Sequence, residues 1–140
     1  MNEIYLTNET SGISPAEVEK CMDELLAQYP GLKKVLIIPP DFTRCYSYAG
    51  ELTQVLYKKL SPSATVHVMP ALGTHMAMDA EEKEKMFGRV IPEEAFLVHH
   101  WQTDTISIGK VPQEVIEEIS GGLYSTDIEV EVNEKLIHGG

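Results

Sequence analysis

Six residues in two short segments carry most of the chemistry this chain can offer: Asp41, Thr43 and Arg44 in one, Gly73, Thr74 and His75 in the other. Arg44 is the best candidate ligand, because a guanidinium offers planar, paired donors matched to a carboxylate or a phosphate. It could equally form an ion pair with Asp41, three residues earlier. The two roles are compatible, since an aspartate can orient an arginine that binds an anion. Asp41 and Thr43 could also simply close the loop, as short polar side chains bond nearby backbone amides. His75 brings an imidazole, the side chain best suited to moving protons near neutral pH, and Gly73 lets backbone approach a ligand closely. Its plain alternative is a surface loop histidine. On the local pattern alone, a ligand site and an ordinary turn remain equally open for the Asp41 loop.

Both segments follow apolar runs. Val35 to Ile38 reads as a central parallel strand covered on both faces. Thr65 to Pro70 reads as the next strand, and in open α/β sheets ligands bind beyond the carboxyl ends of strands. Around them the chain alternates. Glu3 to Leu6 suggests a short edge strand. Ser14, Pro15 and Glu17 make a capping box, opening a helix with Val18, Cys21, Met22, Leu25, Leu26 and Tyr29 on one face before Pro30-Gly31 stops it. Ser47 can cap a helix carrying Leu52, Val55, Leu56 and Leu60. Asp79 with Glu82 forms a second capping box, opening a short helix that ends near Phe87-Gly88. Ala95 to His100 is read as a third apolar strand and Thr105 to Ile108 as a short one. Pro112 begins a helix that runs to Gly121-Gly122. Ile128, Val130 and Val132 alternate with Glu129 and Glu131, as in an antiparallel or edge strand with one wet face. Strands alternating with helices predict one three-layer α/β domain over residues 1–140, with a mostly parallel, Rossmann-like sheet.

The remaining composition narrows the function by exclusion. A chain of 140 residues can bury a single core. Eleven basic against 22 acidic residues give a net charge of −11, which repels phosphate backbones and argues against nucleic acid as a partner. No apolar run has the length of a membrane span and no signal pattern opens the chain, so a cytoplasmic location is expected. Cys21 and Cys45 form no metal or redox motif. Arg44 beside Cys45 could lower its thiol pKa, but no base can be assigned to it. His67 lies inside a strand, and adjacent His99 and His100 would face opposite ways, so no metal site is expected. Trp101 could wall a pocket, although such residues are more often packing. Met76, Met78 and Met86 are read as packing.

Pro39-Pro40-Asp41-Phe42-Thr43-Arg44, with Ser47 and Tyr48 to Leu52 following, resembles the first signature of the lactate racemase family of nickel-pincer enzymes. Ala71-Leu72-Gly73-Thr74-His75 is similar to that family's Gly-Thr-His loop, and the likeness extends over nearly the whole chain as an N-terminal domain. The resemblance implies a nickel ion held in a pyridinium-derived nucleotide cofactor, which takes hydride from the α-carbon of a 2-hydroxy acid while a histidine removes the hydroxyl proton. It implies His75 as one of two such bases and Arg44 as the clamp on the substrate carboxylate. Asp41, Thr43, Gly73 and Thr74 would line the cofactor and substrate space. The family's cofactor-anchoring lysine, second base and nickel-binding histidine have no match in residues 1–140.

Two readings follow. In the first, the chain is the N-terminal domain of a racemase-like isomerase, inactive alone, whose site a C-terminal domain completes. The apolar face meant for that partner would make the isolated domain prone to self-association. In the second, it is a binding module holding an anionic metabolite or nucleotide without turnover. A hydrolase using His75 alone is disfavoured, because no activated nucleophile or metal set accompanies it.

Overall fold

The computed structural model describes residues 3–138, which fall into two compact units, Met1–Val98 and His99–Gly140. In the first, the capping boxes form as the sequence predicts. Ser14 accepts from the Glu17 amide while Glu17 accepts from the Ser14 amide, opening α1 (Pro15–Leu26). Asp79 and Glu82 do the same for α3 (Ala80–Phe87). Each box satisfies amides that a bare helix end leaves without partners. Val18, Cys21, Met22, Leu25 and Leu26 make the half-buried stripe of α1.

β1 (Lys34–Ile37) and β2 (Thr65–Val68) pair in parallel, with Lys34 opposite Thr65 and Ile37 opposite Val68. The crossover between them is α2 (Ala49–Leu60), as a parallel pair requires. Hydrogen bonding does not stop with the regular strands. The Met69 amide donates to the Ile37 carbonyl at 2.9 Å, and the Ala71 amide to the Pro39 carbonyl at 2.8 Å. Pro39 and Pro40 have no N–H to offer, so here they contribute carbonyls alone. This one-sided pairing carries both chains outward side by side to Pro40 and Ala71. The core lies directly beneath. Val68 and Phe87 are wholly enclosed, with Leu72, Met78, Met86, Ile91 and Ala95 around them. Ile37 and Phe42 pack against this cluster, and Phe87 meets Phe96 with ring centroids 5.4 Å apart.

Three expectations for this unit need correcting. Glu3 to Leu6 forms no strand; the segment leads into a turn closed by Asn8, whose side-chain oxygen accepts from the Thr10 and Ser11 amides. The third apolar strand is reduced to one parallel bridge between Phe96 and Val68. A short 3-10 turn (Glu93–Ala95) precedes it, and beyond it the His100 carbonyl accepts from the Thr103 and Asp104 amides, so a turn takes over where a strand would continue. Ser47 is not the cap of α2. Its amide is drawn to the Arg44 carbonyl, and Tyr48 becomes the N-cap in the left-handed region at φ 66° without a side-chain bond.

The second unit contains β3 (Thr105–Val111), α4 (Gln113–Ser120), β4 (Ile128–Asn133) and a final turn of helix, α5 (Lys135–His138). β3 and β4 pair antiparallel, as the alternation in β4 predicts, with an irregularity between Ser107 and Gly109. β3 runs three residues beyond the expected short strand. The α/β fold expected from the sequence is present, with a parallel pair of strands in the first unit and a separate antiparallel pair in the second.

Gly50, buried in the first turn of α2, decides how closely α2 approaches α3. A Cβ there would stand 2.0 Å from the Met86 carbonyl oxygen and 2.9 Å from its carbon, both backbone atoms that cannot swing aside. Gly50→Ala should therefore destabilise the chain by about 2 kcal/mol or more through overpacking. That exceeds the roughly 1 kcal/mol that alanine gains in helix propensity. Urea midpoints of the two proteins would show it; an unchanged or raised midpoint would mean that the two helices can separate freely.

Candidate active site at the ends of β1 and β2

The pairing past Pro39 and Ala71 brings the two chemical segments of the sequence into one place. Asp41 follows Pro40 and caps a 3-10 turn (Phe42–Arg44), where its Oδ1 accepts from the Thr43 amide at 3.1 Å and from the Thr43 hydroxyl at 2.5 Å. On the other chain, the His75 amide donates to the Leu72 carbonyl, and Gly73 takes φ +58° in the turn between them. That turn bends His75 back over Asp41, so His75 Nδ1 lies 2.5 Å from Asp41 Oδ2. Leu72 and Met78, on either side of the His75 turn, are anchored in the core.

Asp41 is only 6 % exposed, yet it carries a carboxylate. Burial is the largest influence on it and favours the neutral form. The Thr43 hydroxyl, His75 and the Thr43 amide together outweigh burial, and the pKa lies below the ordinary aspartate value. An ionised carboxylate only accepts hydrogen bonds, so Nδ1 of His75 must be the donor. Nε2 is then the nitrogen free to take a proton in the neutral ring, and the imidazole remains accessible, with 58 % of its side chain exposed. The same logic of a carboxylate fixing a histidine tautomer operates in hydrolase triads.

Arg44 is not the ion partner of Asp41; among the described residues that role falls to His75. The Arg44 guanidinium instead bonds the Thr43 carbonyl at 3.3 Å and the Thr43 hydroxyl at 3.4 Å, both at the long end, and the residue is exposed. Arg44, Asp41, Thr43, Gly73, Thr74 and His75 all line one open cavity of about 420 Å³. The six residues of the two sequence segments thus meet there. A Cβ on Gly73 would touch nothing within 4 Å, so its backbone is open to a ligand.

The other candidates are elsewhere. Cys45 is half-buried and packs against the core cluster, while Cys21 lines a separate apolar cavity with Ile13, Val18 and Leu52. In the second unit, His99 Nδ1 meets the Asn133 amide nitrogen at 2.8 Å, and Trp101 is partly exposed in a turn. Among the described residues no group of three His, Cys, Asp or Glu could hold a metal ion. Sequence reasoning missed the Asp41–His75 pair and a second cavity of about 240 Å³ that shares Asp41, Thr43 and His75 and adds Phe42, Met76 and Met78. The signal available for the pair was that both segments directly follow apolar runs that could pair in parallel and release their loops on one side.

Because the folded-state pKa of Asp41 is depressed, its contribution to stability is complete above the unfolded value of about 3.9 and is lost as pH falls from there through the folded value. Asp41→Asn should be about 1–3 kcal/mol less stable at neutral pH, through loss of hydrogen bonds to a charged acceptor. Its stability should also fall less steeply than that of the parent between pH 5 and pH 2. Urea titrations across that range provide the comparison, and parallel slopes would mean that folding leaves the pKa of Asp41 unchanged.

The family model of the lactate racemase N-terminal domain matches residues 15–136. No curated protein matches the chain. Among solved structures, a crystal structure of a Thermotoga maritima protein is similar at a TM-score of 0.79 and 24 % identity, covering 96 % of this chain and 33 % of that one. At that identity the likeness concerns the fold, and this chain spans about a third of the other protein's length. The family match extends across both site loops, and on it the chain belongs to the lactate racemase N-terminal domain family.

Proposed function

We propose that this chain is the N-terminal part of an isomerase that interconverts the configurations of a 2-hydroxy acid, with His75 as an acid/base group and Arg44 as the carboxylate clamp. The observation that carries this reading is the Asp41–His75 pair: a buried carboxylate holds one tautomer of an exposed imidazole, in the same cavity as an arginine. In this reading Arg44 receives the substrate carboxylate, for which it gives up its long bonds to Thr43. His75 Nε2 takes the proton of the C2 hydroxyl and returns it once the configuration at C2 has been reset. Asp41 stabilises the ring while it is protonated, as a carboxylate facing the other nitrogen does.

The family's nickel-pincer nucleotide, when bound, supplies hydride acceptance from C2 and hydride return to either face of the planar 2-oxo acid. This chain fits the organic part of such a group better than its metal. The Thr43 and Thr74 hydroxyls and the open Gly73 backbone offer hydrogen bonds around the cavity, whereas the described residues supply no cluster of metal ligands. The remaining ligands and the second base would come from outside these residues, and the chain by itself would not turn over substrate. The protein would work in the cytoplasm; among the described residues no helix is long and apolar enough to cross a membrane.

The test uses the natural gene product from nickel-replete cells, incubated with a single enantiomer of lactate and followed by chiral chromatography. Racemisation is expected. His75→Gln should lower kcat by about a hundredfold or more, in line with loss of a general base. Arg44→Lys should act mainly by raising KM, since an ammonium cannot grip a carboxylate in the paired mode. Tight binding of 2-hydroxy acids with no change of configuration, by a protein carrying the cofactor, would instead favour a non-catalytic binding module.

A further inference from the structure

The isomerase reading leaves one group of the substrate without a place. With the carboxylate on Arg44 and the hydroxyl at His75, the side chain on C2 must go elsewhere. The second cavity, about 240 Å³, shares the Asp41, Thr43 and His75 walls with the first and therefore adjoins it at the acid/base group. Its other walls are mostly apolar. Phe42 is pinned against the core, Met78 is buried, and Met76, the residue after His75, is 89 % exposed. An unbranched, polarizable side chain left that open beside the reactive ring can fold over an apolar group of varying shape. The volume equals roughly eight waters at about 30 Å³ each, room for a short branched chain.

Charge sharpens the choice. Besides the shared residues, the charged wall of this cavity is Glu82, whose carboxylate is held in place by the Asp79 amide. With Asp41 also present, the cavity offers two negative groups and no lysine or arginine. A second carboxylate on the substrate would meet like charge there, while the Arg44 side accepts the first. We infer that this cavity is the side-chain subsite, selecting 2-hydroxy acids with an uncharged apolar chain of about three to five carbons over 2-hydroxy diacids, with Met76 and Glu82 setting that choice. The inference rests on the isomerase reading for the placement of the carboxylate and hydroxyl.

Two measurements separate the inference from that reading. In the first, the natural gene product is assayed with 2-hydroxy-4-methylpentanoate, lactate and 2-hydroxybutanedioate. The branched monoacid should exceed the diacid in kcat/KM by at least about tenfold. Glu82→Gln, which keeps the capping box because glutamine serves at that position, should raise kcat/KM for the diacid several-fold. Met76→Ala should lower it several-fold for the branched monoacid, and by a smaller factor for lactate, whose single methyl buries less against Met76. In the second, the present chain is labelled with ¹³C-methyl methionine and titrated with the same three acids. The Met76 methyl signal, identified through Met76→Ala, should move with the branched monoacid and stay still with the diacid. Lactate turnover with equal preference for the diacid, or with an unmoved Met76 signal, overturns the subsite and leaves the isomerase standing. Absence of turnover of every 2-hydroxy acid overturns the isomerase, and a Met76 signal that still moves selectively keeps the apolar subsite.

Discussion

A buried carboxylate sets the terms for this structure. Asp41 is largely withdrawn from water, and an ionised group there needs hydrogen bonds on both oxygens to stay charged. Thr43 supplies two donors from its own loop, which the 3-10 turn alone could arrange. The third donor, His75, comes from 34 residues away and depends on everything between: the α2 crossover, the parallel register of β1 and β2, and the turn at Gly73. The two loops are thus joined through one side chain. Phe42, Leu72 and Met78 fix them from below by burial, and Asp41 fixes them from above by hydrogen bonding. An aspartate placed to satisfy itself in this way also leaves Nε2 of the histidine free of the pair.

What the sequence disclosed follows the range of the interactions involved. Both capping boxes are local, four-residue devices, and they appear where Ser14 and Asp79 put them. The β1–α2–β2 unit was legible because a continuous apolar run, a helical stripe and a second apolar run each have a period of their own. The six site residues at the strand ends could be placed together, since parallel strands release their loops on one side. Their partners could not be assigned. Arg44 is three residues from Asp41 and was the obvious ion partner, yet the contact that forms is with His75, which only the tertiary register brings near.

The misplaced elements share a cause. Ala95 to His100 has the composition of a strand, but a strand exists through its partner, and only Phe96 finds one. The chain beyond it obeys a stronger local demand, a turn with the His100 carbonyl bonded to two amides and the Asp104 carboxylate bonded to the His100 amide. Asp104 owes a lowered pKa chiefly to that backbone bond. Ser47 likewise has the right side chain for a cap but the wrong backbone, because its amide closes the turn after Arg44 and passes the N-cap position to Tyr48. A left-handed tyrosine without a capping bond is an uncomfortable start for a helix. The geometry of the Arg44 loop takes precedence there over the helix that follows it.

A net charge of −11 works against the proposed anion site, and the distances involved limit that opposition. Charges more than about 8 Å away across water are largely screened at physiological ionic strength. An anion seated on Arg44 therefore responds to the groups lining its own cavity, where the one carboxylate, Asp41, is already bonded to three donors. The global field acts earlier, on the approach, by lowering the local concentration of anions and hence the rate of encounter. In the proposed reading, residence in the site would be governed by Arg44 and by how completely the loop bonds to Thr43 are exchanged for bonds to the ligand. An acidic surface and a cationic clamp are then compatible, because one governs arrival and the other governs the bound state.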